Sequence, residues 1–285
     1  MLLGITGGSG FYKLQDLKIT KTETISTPFG KPSSDLIFGE INNFPIVFLA
    51  RHGSNHSIPP HKINYRANIW ALKKAGVTHL VAMSAVGSLT NEAAPGDFVV
   101  VNQFIDFTKS RNLTFYDDFA AHVSLAEPVC TELAENVAEA VTKTGAKVHK
   151  GGTYICIEGP QFSTKAESFW YKSIGGTVIG MTNATEARLA REAEIHFSTV
   201  AMVTDYDCWH ENEDNVTVEA VIEVLKQNGH KANLSVKYLI EILGSQKSKC
   251  NVCSNALNNA VMSDFKSFNE DTKKKYEPLL GHYYQ

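Results

Sequence analysis

Hydrophobic positions along the chain alternate between two periods. Short, apolar, β-branched-rich runs at 1–6, 46–50, 79–84, 97–106, 152–158, 178–182 and 198–205 predict strands. Between them, apolar residues recur every three or four positions at 64–75, 130–145, 164–175 and 185–193. A longer helical stretch covers 216–243, with a break expected at Asn228-Gly229. Strands alternating with helices predict a layered α/β fold with a largely parallel sheet. The pattern ends at residue 244, so 1–244 is expected to form the domain. The remainder, 245–285, is polar, rich in Lys and Asn, and carries one Cys-x-x-Cys; it predicts a loosely packed tail.

Composition narrows the classes. The 285 residues suit one large domain or two modest ones, and 43% hydrophobic content suits a globular chain. Lys and Arg number 27 against 30 Asp and Glu, a net charge of −3 with no basic excess, so no nucleic-acid partner is expected. No apolar run approaches the roughly 20 residues of a membrane span. The start, Met-Leu-Leu-Gly-Ile-Thr-Gly-Gly, lacks the basic and apolar regions of a signal peptide, and a cytoplasmic chain is expected. Of five cysteines, Cys130, Cys156 and Cys208 read as small buried residues. Cys250 and Cys253 read as a local disulfide or two free thiols. Zinc needs four ligands, no second Cys pair exists, and His230 and His282 lie outside ligand spacing, so no metal is expected.

Chemistry concentrates where strands run into turns, the places at which α/β folds bind ligands. Gly4-Ile-Thr-Gly-Gly-Ser-Gly10 can converge backbone N–H groups and the Ser9 hydroxyl on an anion, although a plain tight turn would look the same. Its spacing fits neither the dinucleotide fingerprint nor a Walker loop. Arg51 and His52 leave a strand end together; Arg offers a planar fork for phosphate, or simply a carboxylate pair. Ser84 and Ala85 sit at another such junction. Ala201-Met-Val-Thr-Asp-Tyr-Asp207 is an apolar strand ending in two carboxylates that share a side if the strand persists.

Several stretches are specific as a set: Gly-Gly-Ser-Gly at 7–10, Thr-Pro-Phe-Gly-Lys-Pro-Ser at 27–33, Ala-Arg-His-Gly at 50–53, Ala-Asn-Ile-Trp-Ala-Leu at 67–72, Glu-Gly-Pro at 158–160 and Thr-Asp-Tyr-Asp-Cys-Trp at 204–209. To about residue 244 the chain resembles the methylthioadenosine branch of the purine nucleoside phosphorylase family, and Cys250-Asn-Val-Cys253 resembles the cysteine-rich tail of archaeal members.

The resemblance implies a single three-layer α/β/α domain with a central mixed, largely parallel sheet. It implies phosphorolysis of 5′-methylthioadenosine to adenine and 5-methylthioribose 1-phosphate, with inorganic phosphate as co-substrate and no metal or organic cofactor. Ser9, Arg51, His52, Ser84, the Ala85 backbone and Thr182 match the family's phosphate site. Phe162, Met181 and Thr204 match purine and ribose positions, and Asp205 and Asp207 match the catalytic base-reading pair. Val218, Val221 and Ile222, on one helix face, match the pocket for the 5′ substituent. His122 matches a residue that reaches a neighbouring subunit, which implies a homotrimer, alone or paired as a hexamer. Two departures stand out: Gln161 replaces an Arg beside Phe162, and Thr185 replaces a Pro, which is expected to loosen the turn after Thr182. Phosphorolysis of adenosine, inosine or methylthioinosine is the rival activity, and a catalytically silent nucleoside-binding module the rival class.

Overall fold

Five wholly buried residues, Leu3–Gly7, form the central strand β1 of a computed structural model that describes residues 1–210, 218–246 and 248–284, the side chains of 218–221 excepted. A strand covered on both faces by helices needs no polar alternation, which is why β1 reads as a continuous apolar run. It pairs in parallel with β4 (Phe44–Ala50) and with β5 (His79–Ser88). Outward from β4 lie β3 (Leu36–Ile41) and the edge strand β2 (Lys18–Glu23). Beyond the far half of β5 the sheet continues through β10 (Val178–Gly180), β9 (Thr153–Cys156) and β7 (Gln103–Asp106). On its other edge β5 pairs along its length with parallel β11 (His196–Asp205), followed by β6 (Phe98–Val100) and β8 (Val148–Lys150). The sheet is mixed and largely parallel, as expected.

Alternate residues of each strand feed two cores. Ile5, Phe48, Val81 and Met83 face α2 (Thr131–Thr142) and α5 (Val218–Ser245). Val47, Leu49, Leu80 and Ala82 face α1 (Tyr65–Lys74), α4 (Asn183–Glu192) and α6 (Glu270–Leu280). A further helix, α3 (Lys165–Ser173), begins at a capping box formed by Thr164 and Glu167.

Three features depart from the pattern. Strand β2, Lys-Ile-Thr-Lys-Thr-Glu, is exposed throughout and carries no apolar period to read; charge on an edge strand discourages pairing with other chains. Helix α5 runs unbroken through Asn228-Gly229. A Cβ on Gly229 would stand 2.8 Å from the Gly10 carbonyl, so the glycine lets the helix lie on the first glycine turn, while Asn228 Nδ2 donates to the Val203 carbonyl at 3.0 Å. The expected break is a packing contact. The C-terminal segment is likewise no loose tail. Tyr276, Leu279 and Leu280, at i, i+3 and i+4 of α6, are fully buried against α1 and α4. The Tyr276 hydroxyl donates to the Phe115 carbonyl at 3.1 Å, and Trp70 Nε1 donates to the Lys275 carbonyl at 3.2 Å. Its charged residues cover one helix face and hide a short apolar stripe. Among the described residues no helix is long and apolar enough to cross a membrane.

Candidate active site

The carboxyl ends of β1, β4, β10 and β11 and the second half of β5, which continues past the expected junction at Ser84 to Ser88, enclose a cavity of about 620 Å³. Ser9, Arg51, His52, Ser84, Ala85 and Thr182 line one part. Phe162, Met181, Thr204, Asp205, Asp207 and Ile222 line the rest. Twelve of the fifteen sequence-selected residues thus converge. The side chains of Val218 and Val221 lie outside the described residues. His122 does not join them: it is exposed, and its backbone N–H donates to the Ala260 carbonyl at 2.8 Å on the C-terminal segment.

Arg51 is the best-anchored group in the cavity wall. Its Nε donates to Glu186 Oε1 at 2.6 Å and its Nη2 to Glu186 Oε2 at 3.1 Å, a fork-to-fork pair between the end of β4 and the first turn of α4. Nη1 donates to the Met83 carbonyl and Nη2 also to Thr6 Oγ1, each at 3.2 Å. Four of the five guanidinium hydrogens are thereby used. The fifth is on Nη1, which approaches the glycine turn so closely that a Cβ on Gly8 would stand 2.6 Å away. Burial disfavours the charge, but the Glu186 carboxylate more than offsets it and raises the Arg51 pKa. Glu186 in turn accepts from Asn183 Nδ2 at 2.7 Å, and Asn183 Oδ1 accepts from Thr199 Oγ1 at 2.7 Å. Glu186 was absent from the sequence-selected set because its partner is 135 residues away, with no local signal.

Thr182 is the N-cap of α4, yet its hydroxyl caps nothing. Its Oγ1 is buried without a hydrogen bond of good geometry, although the Tyr154 hydroxyl lies close by. An unsatisfied buried hydroxyl costs about 1–3 kcal/mol, which a ligand oxygen could recover. The helix N-terminus behind it favours an anion. Ser84 Oγ contacts the Tyr154 hydroxyl at 3.2 Å on the same wall. The substitution at Thr185 does not loosen this turn: Thr185 is fully buried, and its Oγ1 accepts from Arg111 Nη1 at 3.2 Å. Gln161 is exposed on the loop before Phe162.

The carboxylate pair owes its placement to a bulge. The register of β11 on β5 shifts between Val203 and Asp205, and the hydroxyl of the extra residue, Thr204, shares its one hydrogen between Asp205 Oδ2 at 2.6 Å and the Val86 carbonyl at 3.1 Å. The strand ends there, so the shared side of Asp205 and Asp207 comes from bulge and turn rather than from strand period. Gly87 makes room for both: a Cβ there would lie 2.9 Å from Asp205 Oδ1 and 3.3 Å from Asp207 Cβ. Burial raises the Asp207 pKa against the opposing effect of Ser168, whose hydroxyl donates to Oδ2 at 2.5 Å. Phe162 stands at the mouth with 65% of its surface exposed, and Ile222 and Leu225 bring the apolar side of α5 to the opposite wall.

A pocket of this kind, with a buried Arg and hydroxyl groups on one side, an apolar wall and paired carboxylates at the strand ends, has the make-up of a small-molecule enzyme site on an α/β fold. The sequence profile of the phosphorylase superfamily matches residues 2–241, and the chain belongs to that superfamily. The S-methyl-5′-thioadenosine phosphorylase of Geobacter sulfurreducens is 43% identical over 284 residues, 99% of either chain. Among solved structures, a methylthioadenosine phosphorylase sourced from an antarctic soil metagenomic library matches with a TM-score of 0.92 and 42% identity over 98% of each chain. A mutant adenosine/methylthioadenosine phosphorylase from Schistosoma mansoni, in complex with methylthioadenosine, matches with a TM-score of 0.83 and 36% identity, over 87% of this chain and 93% of its own.

His52 provides a direct reading of the cavity's electrostatics. Its Nδ1 lies 2.8 Å from the Ile58 carbonyl and must carry the proton of that bond, leaving Nε2 as an acceptor. Burial and the Arg51 charge push its pKa down to about 4. An unfolded histidine titrates near pH 6.5, so between that pH and about 4 the unfolded chain binds more protons. Stability therefore falls as pH drops through this window, and His79, also held at about 4, adds to the fall. In phosphate-free protein, NMR titration of the His52 ring should give a midpoint near 4, and saturating phosphate should raise it by placing an anion beside Nε2. A midpoint near 6.5 without phosphate would contradict this electrostatic picture.

Proposed function

We propose that the chain catalyses phosphorolysis of 5′-methylthioadenosine to adenine and 5-methylthioribose 1-phosphate. The observation that carries the reading is one cavity flanked by an anion site and a carboxylate pair, in a chain whose relatives are named for this reaction. Phosphate is the co-substrate, and the reaction needs no organic cofactor or active-site metal. The remaining Arg51 N–H, the Thr182 hydroxyl, the N-terminal amides of α4, Ser9 and Ser84 hold phosphate beneath the sugar. A phosphate oxygen bonds to C1′ as the C1′–N9 bond breaks, and the bonding pair departs with the purine.

The purine takes up that charge by accepting a proton at N7 from the Asp205–Asp207 pair. Asp207, with its pKa raised by burial, is the proton reservoir. A protonated carboxyl donates to N7 while its other oxygen accepts from the N6 amino group, so an Asp suits adenine; a 6-oxopurine offers acceptors at both places. Met181 and Phe162 cover the sugar and base faces. Ile222 and Leu225 give the 5′ end an apolar wall, which suits a methylthio group and leaves a 5′-hydroxyl without partners.

Adenine release from methylthioadenosine should require phosphate, and Asp205→Asn should move selectivity from 6-amino- toward 6-oxopurine nucleosides by about tenfold or more. Phosphate-independent release, or unchanged adenosine-to-inosine selectivity in the variant, would refute these assignments.

A homotrimer, alone or paired as a hexamer, completes the reading. Phe162 and the cavity mouth are exposed in the single chain, and an oxocarbenium-like centre must be shielded from water, or hydrolysis competes with phosphate attack. His122 from a neighbouring subunit supplies that cover. Sedimentation equilibrium should give three or six chain masses, and His122→Ala should raise the nucleoside KM without dissociating the assembly. A single chain mass would overturn the shared-site reading.

A further inference from the structure

We propose that Cys130, His196, Cys250 and Cys253 bind one structural zinc ion, at a site separate from the cavity described above. Their ligand atoms, three Sγ and one imidazole nitrogen, all lie within 4.8 Å of one another. In a tetrahedral zinc site two thiolate sulfurs stand about 3.8 Å apart, and a sulfur and a nitrogen about 3.5 Å. Cys250 and Cys253 Sγ are 3.6 Å apart, and Cys130 Sγ is 3.3 Å from His196 Nδ1. Three thiolates and a neutral imidazole form a donor set that favours zinc over harder cations.

Three elements hold these ligands independently of any ion. Cys130 is the N-cap of α2, where the helix terminus favours a thiolate, and its N–H donates to the Phe197 carbonyl at 2.8 Å, fixing it beside the start of β11. His196 opens β11 and stacks on the His79 ring, with centroids 4.4 Å apart and planes within 6°. The Cys-x-x-Cys turn is pinned to α2, because Glu132 accepts from the N–H groups of Lys249 and Cys250. Zinc binding would release three thiol protons to solvent and leave a centre of charge −1. Arg191, itself buried, already donates to Cys253 Sγ at 3.4 Å and offsets that charge. A surface cleft of about 770 Å³ bordered by Cys130, Cys250 and Cys253 offers the ion a route in.

The ion's role is structural. Asp205 and His196 are opposite ends of a ten-residue strand, so site and cavity stand about 30 Å apart. The ligands instead join the start of the C-terminal segment to α2 and β11, adding a cross-link to the Glu132 hydrogen bonds that already hold the turn.

The test uses the full chain without a histidine tag, purified in reducing, chelator-free buffer from zinc-supplemented cells. Elemental mass spectrometry should find about one zinc per chain, and the cobalt-substituted protein should show a thiolate-to-cobalt charge-transfer band with the intense visible bands of tetrahedral cobalt. Cys250→Ser, at a half-buried position, should lose metal to about a tenth or less of the wild-type content and abolish those bands. Less than about a tenth of a zinc per chain with a featureless cobalt spectrum would overturn the proposal. So would a Cys250–Cys253 disulfide mapped in the reduced preparation. If the variant does not fold, the wild-type zinc content and cobalt spectrum alone decide.

Discussion

The buried ion pair between Arg51 and Glu186 is the constraint on which the candidate site depends. A guanidinium with 1% of its surface exposed is tolerable only if its charge and its hydrogens are met, and breaking such a pair by removing one partner costs about 3–5 kcal/mol. The pair therefore fixes the end of β4 against the first turn of α4. Other features follow from it. Residue 8 must be glycine, because Nη1 occupies the space a side chain would take. The N-terminus of α4, with the Thr182 hydroxyl, is turned toward the same space. His52 is held neutral by burial and by the adjacent positive charge. The proposed phosphate site would thus be built from groups held in place by the fold before any anion binds, the condition for electrostatic preorganisation.

Strand β11 links the two chemical ends of the molecule. At its carboxyl end a one-residue bulge turns Asp205 into the cavity, and Gly87 on β5 leaves room for the carboxylate. At its amino end His196 meets three thiols drawn from α2 and the C-terminal segment. Between the two ends the strand is entirely buried and pairs with β5 along its length. The C-terminal segment, held there and through Tyr276 on α6, is part of the domain's packing rather than an addition to it.

The sequence made the two-sided strands legible because their apolar runs are short, rich in β-branched residues and bounded by glycine turns, which favours a strand over a buried helix. It also exposed Arg51 and Asp205, since each breaks an apolar run at a strand end, and Ser84, a polar residue inside the apolar run of β5; the motif set that contains Arg51 and Asp205 pointed to the superfamily the chain belongs to. Less legible were features that depend on pairing between distant positions. Ser168 finds Asp207 39 residues away and Tyr154 finds Ser84 70 residues away, with nothing local to announce either. Cys130 and His196 are 66 residues apart, so the Cys-x-x-Cys read as an isolated pair. The three apolar residues of α6 were masked by neighbouring lysines, and Gly229 resembled a helix break because its reason for being glycine lies on another loop.

The central claim is that Arg51 serves phosphate through the fork geometry that Glu186 imposes. Arg51→Lys keeps the charge and a contact to Glu186, but one ammonium cannot also reach Met83, Thr6 and an anion. Steady-state kinetics with both substrates varied should show the phosphate KM raised about tenfold or more and the methylthioadenosine KM changed by less than about twofold. An unaltered phosphate KM, or an equal rise in both constants, would contradict the account and leave Arg51 as a structural ion-pair residue only.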